Sequence, residues 1–223
     1  MIMNEMFTEV APIIPLAVAL KEATADLHVR AEKHPVQSRF VTGKATAGEY
    51  AAFLGQMAAI HDRLEPMLRM QTASLGPLAN TVQRHHYRSA AVRADLDVLG
   101  QSAEAKKPLP ATLRFSERLQ ELGRRQPLAL LGVLYVLEGA TNGGRFIAAA
   151  VRPALGLPNG AGTAYLDPHG ENQRERWAEF RASLDAQVFN SSERNAVIAA
   201  ACETFTAIYD ILEDLDLRRC SHT

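Results

Sequence analysis

Residues 16–35, LAVALKEATADLHVRAEKHP, decide the fold class. Leu16, Ala19, Leu20, Ala23, Leu27 and Ala31 recur at helical spacing. The His34-Pro35 pair ends the run, because proline disfavours helix in the residue before it. The next stretch repeats the pattern. Thr46 has N-cap chemistry, and Glu49 three residues on completes a capping box. Tyr50, Phe53, Leu54, Met57, Ile60, Leu64 and Leu68 then share one side, with Pro66 expected to kink the helix or mark its boundary. Helices are also predicted over 82–99, 111–123, 127–151, 171–187 and 192–215. The stretches 100–110 and 152–170 are rich in Pro and Gly and read as loops, the second long enough to be ordered against the body or functional. The expectation is one all-α domain over 16–217, of about seven helices, behind an N-terminal extension at 1–15.

Composition narrows the function classes. Apolar residues make up 47% and charged residues 22% of the 223, which excludes disorder. A net charge of −1 supplies no basic field, so nucleic acid is excluded as a partner, and an anionic ligand must meet a local basic cluster. Cys202 and Cys220 are too few for a disulfide framework and read as free thiols in a reducing compartment. The first twenty residues carry Glu5, Glu9 and two prolines without a basic start or a cleavage site, unlike a signal peptide. Elsewhere no uninterrupted apolar run reads as a membrane span. The chain is expected to be cytoplasmic, off the membrane and monomeric.

The first helix carries the first candidate site. His28 lies on or beside the apolar stripe, Lys21 seven residues earlier, roughly 10 Å along the axis, and Glu32 one turn later. An imidazole that binds a metal through one nitrogen usually donates the other N–H to a carboxylate, which Glu32 supplies. Lys21 would meet a carboxylate at the far edge of a flat ligand. The bland alternative is a core histidine with a solvated Lys and Glu. In YVLEGATNGGRFI, residues 135–147, Gly139, Gly143 and Gly144 interrupt a good helix former at about 1 kcal/mol each. Two explanations stand side by side: close helix packing through Gly139 and Gly143, or a bend that lays bare main chain against a flat ligand.

The run LKEATADLHVRAE, residues 20–32, resembles the proximal-helix motif of heme oxygenases, and 135–147 is similar to their glycine-kinked distal helix in its bacterial form. WAEFRASLD (177–185) and AAACETFTAIYDIL (199–212) are similar to the family's last two helices. The resemblance implies a heme oxygenase-like fold with heme held between the proximal and distal helices. It implies oxidative cleavage of heme to biliverdin, ferrous iron and carbon monoxide, using O2 and an external electron donor, whether ferredoxin, flavodoxin or a reductase. Carried over residue by residue, His28 is the iron ligand, Glu32 its carboxylate partner, and Lys21 and Arg174 meet the propionates. Gly139, Gly143 and Gly144 form the distal backbone, and Phe205 an apolar wall. A neutral His lacks the electron push that a thiolate gives toward O–O cleavage.

Two positions depart from the family pattern. Ala140 stands where mammalian and cyanobacterial members carry an Asp that organises water, as it does not in other bacterial members. Asn142 or Arg145 is the expected water anchor instead. Ala178 stands near a propionate-binding Arg of several members, leaving Arg181 or Arg176 for that role. The rival readings are a non-catalytic heme carrier of the same fold, a related helical fold that binds thiamine precursors or a di-iron centre, and an interaction module. No histidine has Glu three residues before it, which argues against the di-iron pattern. His61 with Glu65 reads as a polar or packing pair; His85, His86 and His169 could bind surface metal but read rather as exposed histidines without supporting partners.

Overall fold

Each apolar stripe becomes a buried helix face. The computed structural model describes residues 14–100, 107–158 and 161–220. Most of the N-terminal extension, and 101–106 of the first predicted loop, lie outside the described residues. Among the described residues there are ten α-helices and no strand. They are α1 (Leu16–Glu32), α2 (Pro35–Val41), α3 (Ala47–Thr72), α4 (Gly76–Thr81), α5 (Ser89–Leu99), α6 (Pro110–Arg125), α7 (Leu130–Gly139), α8 (Thr141–Ala154), α9 (Gln173–Asp185) and α10 (Ser191–Cys220).

The opening stripe buries Leu16, Ala17, Leu20, Thr24 and Ala31. His34 both ends it and starts α2, its ring accepting from Val36 N at 3.2 Å with Pro35 as the first helical residue. The Thr46–Glu49 capping box is formed in both directions. α3 then runs through Pro66 without the predicted boundary. A proline inside a helix costs about 3 kcal/mol, but Ile60, Leu64 and Leu68 are completely buried on either side of it and hold the helix together.

At the centre lies α10, which packs on α1, α6 and α7. By length and composition it could cross a membrane, which the search for uninterrupted apolar runs overlooked. Here it is a core helix, burying Val197, Ala200, Ala201, Thr204, Ile211, Leu212 and Leu215. Its crossing with α7 is close enough to require Gly132, where a Cβ would fall 2.0 Å from Val197 O.

The helix expected over 82–99 is instead a 3-10 turn at Arg84–His86 followed by α5. The cause is distant in sequence. Glu65 of α3 accepts from the main-chain N–H of Arg88 and Ser89, at 2.6 and 2.7 Å, and from the Ser89 hydroxyl at 2.7 Å, capping α5 from another helix. His61 Nδ1 lies 3.3 Å from the same carboxylate, and both side chains are buried. The described residues of the segment 152–170 pack on the body, as expected: α8 extends to Ala154, and Asp95 accepts from Ala164 N and Tyr165 N while the Tyr50 hydroxyl donates to Gly162 O.

Glu65 makes the fold acid-sensitive. Burial alone would raise its carboxyl, but hydrogen bonds from His61 and Ser89 outweigh that and hold it down to about 2. A carboxyl depressed by folding stabilises the protein above its unfolded value and loses that contribution as pH falls toward the folded value. Wild type should therefore lose stability between about pH 4.5 and pH 2. Glu65→Gln should be less stable at neutral pH and flatter over that interval, as read by chemical unfolding at each pH. Parallel pH profiles would contradict this role.

Candidate functional site

The predicted distal helix is interrupted at Ala140, directly after the first of its glycines. α7 ends at Gly139, Ala140 separates it from α8, and main-chain bonds still cross the joint, from Ala140 N to Val136 O and from Gly144 N to Ala140 O, both 2.9 Å. The joint is stabilised from within. Asn142 Nδ2 donates to Gly139 O at 2.9 Å, and the Thr141 hydroxyl donates to Glu138 O at 2.6 Å. Buried Gln173 at the start of α9 holds both side chains, its Nε2 donating to Thr141 Oγ1 and Asn142 Oδ1 at 2.7 and 3.2 Å. Asn142, expected to anchor water, thus has both ends of its amide engaged in fixing the bend.

The three glycines separate by surroundings. A Cβ on Gly144 would fall 2.3 Å from Leu166 O, so this glycine lets the loop main chain pass over α8. On Gly139 it would meet the Trp177 ring at 3.3 Å. Around Gly143 there is nothing within 4 Å, and Gly143 and Ala140 are both exposed. Gly139 thus serves close packing, against Trp177, and Gly143 does not; Ala140 and Gly143 lie open to either side of buried Thr141.

His28 on α1 is similarly open, its side chain 53% exposed. Its Nδ1 lies 3.5 Å from Glu32 Oε2, and its ring stands edge-on to Phe205 of α10 at 5.6 Å between centroids. The carboxylate beside Nδ1 leaves Nε2 as the nitrogen available to a metal. The other described histidines are engaged differently. His34 caps α2 and lies 3.4 Å from Glu213, His61 is buried beside Glu65, and His86 Nδ1 accepts from Gln83 N.

α9 sets the spacing between the two open faces. At one end Trp177 packs against Gly139 and sits 5.3 Å from the Tyr135 ring. At the other, Asp185 accepts from Ala17 N at 2.8 Å and caps the start of α1. These contacts are eight residues apart, roughly 12 Å along a helix axis. α2 and α10 bridge the same two walls, α2 touching α1 and α8, and α10 touching α1 and α7.

Helix phase decides which arginine faces this region. Arg181 lies one turn beyond Trp177, its guanidinium 5.6 Å from that ring's centroid. Burial raises the Tyr135 hydroxyl, and the nearby Arg181 guanidinium partly offsets the rise. Arg176 is turned to another face, paired with Glu179 at 2.9 Å beside His85 and His86. Of the two alternatives left by the sequence, Arg181 shares the face of the distal bend. Arg174, one turn before Trp177 and Ala178, is exposed. Lys21 lies one turn after Ala17 and Arg181 one turn before Asp185, the two residues that the 2.8 Å bond joins.

The sequence reading missed the state of three histidines. His86 is buried, the His169 side chain is 4% exposed, and His85 is half-buried; none is the solvated surface residue expected. His169 Nε2 is 2.7 Å from Glu138 Oε1, a buried pair joining residues 31 apart in sequence.

The sequence model of the heme oxygenase family matches residues 14–214. The chain is 26% identical to heme oxygenase 1 of Gallus gallus over 207 residues, covering 90% of this chain and 69% of that protein. It is 29% identical to the heme oxygenase of Xanthomonas campestris pv. campestris over 171 residues, 76% of this chain and 92% of the relative. The solved heme oxygenase of Leptospira interrogans superposes with a TM-score of 0.81 at 26% identity, covering 89% of this chain and 98% of that one. The matched region takes in α1 with His28, the bent α7–α8 pair and the α9 spacer between them, and on that basis the chain belongs to the heme oxygenase family.

Proposed function

We propose that this chain carries out its family's reaction, the oxidative cleavage of heme to biliverdin, ferrous iron and carbon monoxide, with His28 as the iron ligand. The observation that carries this reading is an open imidazole on α1, backed by Glu32 at Nδ1, together with exposed Ala140 and Gly143 at the α7–α8 joint. When bound, heme supplies the redox iron and the ring to be cut.

The residues divide the remaining work. Glu32 orients the imidazole and raises its basicity. Phe205 walls the proximal side against water. Gly143 and Ala140 admit a flat ligand, and Gly139 accepts the Trp177 ring at the bend. Asn142 fixes that bend rather than holding a proton. With no acid at position 140, proton delivery falls to solvent at the open face. Lys21 and Arg181, with Arg174 beyond them, attract the ring's carboxylates and set its rotation in the cleft. O2 is the oxidant and an external carrier, whether ferredoxin, flavodoxin or a flavin reductase, is the electron source.

Incubating the protein with hemin and ascorbate or a reductase tests the activity. A bilin spectrum with release of chelatable iron supports it. A stable heme complex that never yields bilin would leave only the carrier function. Lys21→Ala and Arg181→Ala should each loosen heme by up to about fivefold, as expected of solvent-exposed charge pairs, or alter the bilin isomer ratio. Affinity and isomer ratio both unchanged in the double variant would contradict the propionate role.

A further inference from the structure

Away from the open cleft, three metal-ligating side chains from three separate segments converge. His85 comes from the Arg84–His86 turn, Glu138 from the end of α7, and His169 from the loop before α9. One donor atom of each lies within 4.8 Å of the other two. Glu138 is completely buried, with Oε1 hydrogen-bonded to His169 Nε2 at 2.7 Å and Oε2 buried without a protein partner. The His85 ring stands edge-on to His169, 5.2 Å between centroids.

A buried carboxylate is costly unless its charge and lone pairs are met. The Arg88 guanidinium helps to offset the charge but hydrogen-bonds elsewhere, donating to Leu137 O at 2.6 Å and Tyr165 O at 3.4 Å. A single hydrogen bond from His169 therefore leaves Oε2 unanswered. Two imidazoles and one carboxylate form a donor set that zinc and ferrous iron both accept, with further positions left for water. Bonds of about 2.0–2.2 Å hold neighbouring donors roughly 3–3.5 Å apart, so the cluster needs only side-chain adjustment around an ion. There is a route in, because His85 also lines a cavity of about 300 Å³ together with His86, Arg176 and Glu179.

We propose that His85, Glu138 and His169 bind one divalent first-row transition-metal ion. The ion displaces the proton shared by His169 Nε2 and Glu138 Oε1 and gives the buried carboxylate its missing partner. Because Glu138 immediately precedes Gly139, occupancy ties the bent distal helix to the 84–86 turn and the His169 loop. The assignment is independent of heme binding.

The test uses the full chain after chelator treatment, titrated with Zn2+, with Co2+ as a spectroscopic probe, and anaerobically with Fe2+. One ion per chain is expected, with equal affinity in wild type and His28→Ala. His85→Ala and His169→Ala should each weaken binding by roughly 100-fold or more, beyond the loss that removing an outer-shell partner causes. Zn2+ or Fe2+ bound with that dependence supports the site. The bound ion should also raise the thermal midpoint of wild type and leave that of His85→Ala unchanged. His85 is half-buried, so this variant decides the matter even if His169→Ala fails to fold. Absence of stoichiometric binding, binding that survives the His85 substitution, or binding lost in His28→Ala overturns the proposal.

Discussion

His28→Ala should abolish ring opening and remove the proximal nitrogen signature from the spectrum of the bound heme. The loss is expected to be on the order of 100-fold or more, because the ligand itself is gone, whereas removal of an outer-shell partner costs 10–100-fold. Glu32→Ala should fall in that smaller range. The variant should fold normally. His28 is half-exposed, and its edge contact with Phe205 is worth about 1 kcal/mol. A thermal midpoint near that of wild type therefore separates a lost ligand from a lost fold. The space left by the imidazole is open, so added imidazole should restore part of the spectrum. Unchanged spectra and turnover in His28→Ala would refute the assignment.

Adjacent glycines on the distal helix should respond with opposite signs. A methyl on Gly144 meets the Leu166 carbonyl oxygen at 2.3 Å, and main chain on both sides leaves no flexible end to yield. Overpacking of this kind costs about 1–3 kcal/mol, which lowers the thermal midpoint by roughly 2–10 °C in a chain of this size. Gly143→Ala meets nothing within 4 Å and gains up to about 1 kcal/mol of helix propensity. It should leave stability equal or slightly raised. Gly143→Leu carries the functional half of the contrast, since a branched side chain fills the open face and should reduce heme loading and turnover at least tenfold without unfolding the protein. Full activity in Gly143→Leu would mean that the ligand does not lie against this main chain. A tolerated Gly144→Ala would contradict the packing role.

Much of the architecture was legible because its signals are local. The α1 helix and the Thr46–Glu49 box are read within a few residues and both form, although of the α1 stripe only Leu16, Leu20 and Ala31 are buried and Ala23 is exposed. The start of α5 was not legible, because its cap is Glu65, more than twenty residues away on another helix. Pro66 misled for a related reason: local chemistry favours a break, and the buried faces of Ile60, Leu64 and Leu68 overrule it. Within the candidate site, Lys21, His28 and Glu32 share one helix at i, i+7 and i+11, a spacing that offered them as candidates while the family resemblance supplied their roles. The separate duties of Gly139, Gly143 and Gly144 were not, since Trp177 and Leu166 decide them. Choosing Arg181 over Arg176 required the phase of α9 relative to Trp177. His85, His86 and His169 looked like surface residues because their partner Glu138 is far along the chain, within a run that otherwise reads as plain apolar helix.

The central claim is that one imidazole grips the iron while uncovered main chain faces the other side of the ring, and a crystal structure of the heme-loaded protein measures this directly. It should place His28 Nε2 at bonding distance from iron, with the backbone of 139–143 across the ring and Lys21 and Arg181 toward the propionates. Iron bound by any other residue, or heme seated outside the space between α1 and α8, would contradict it.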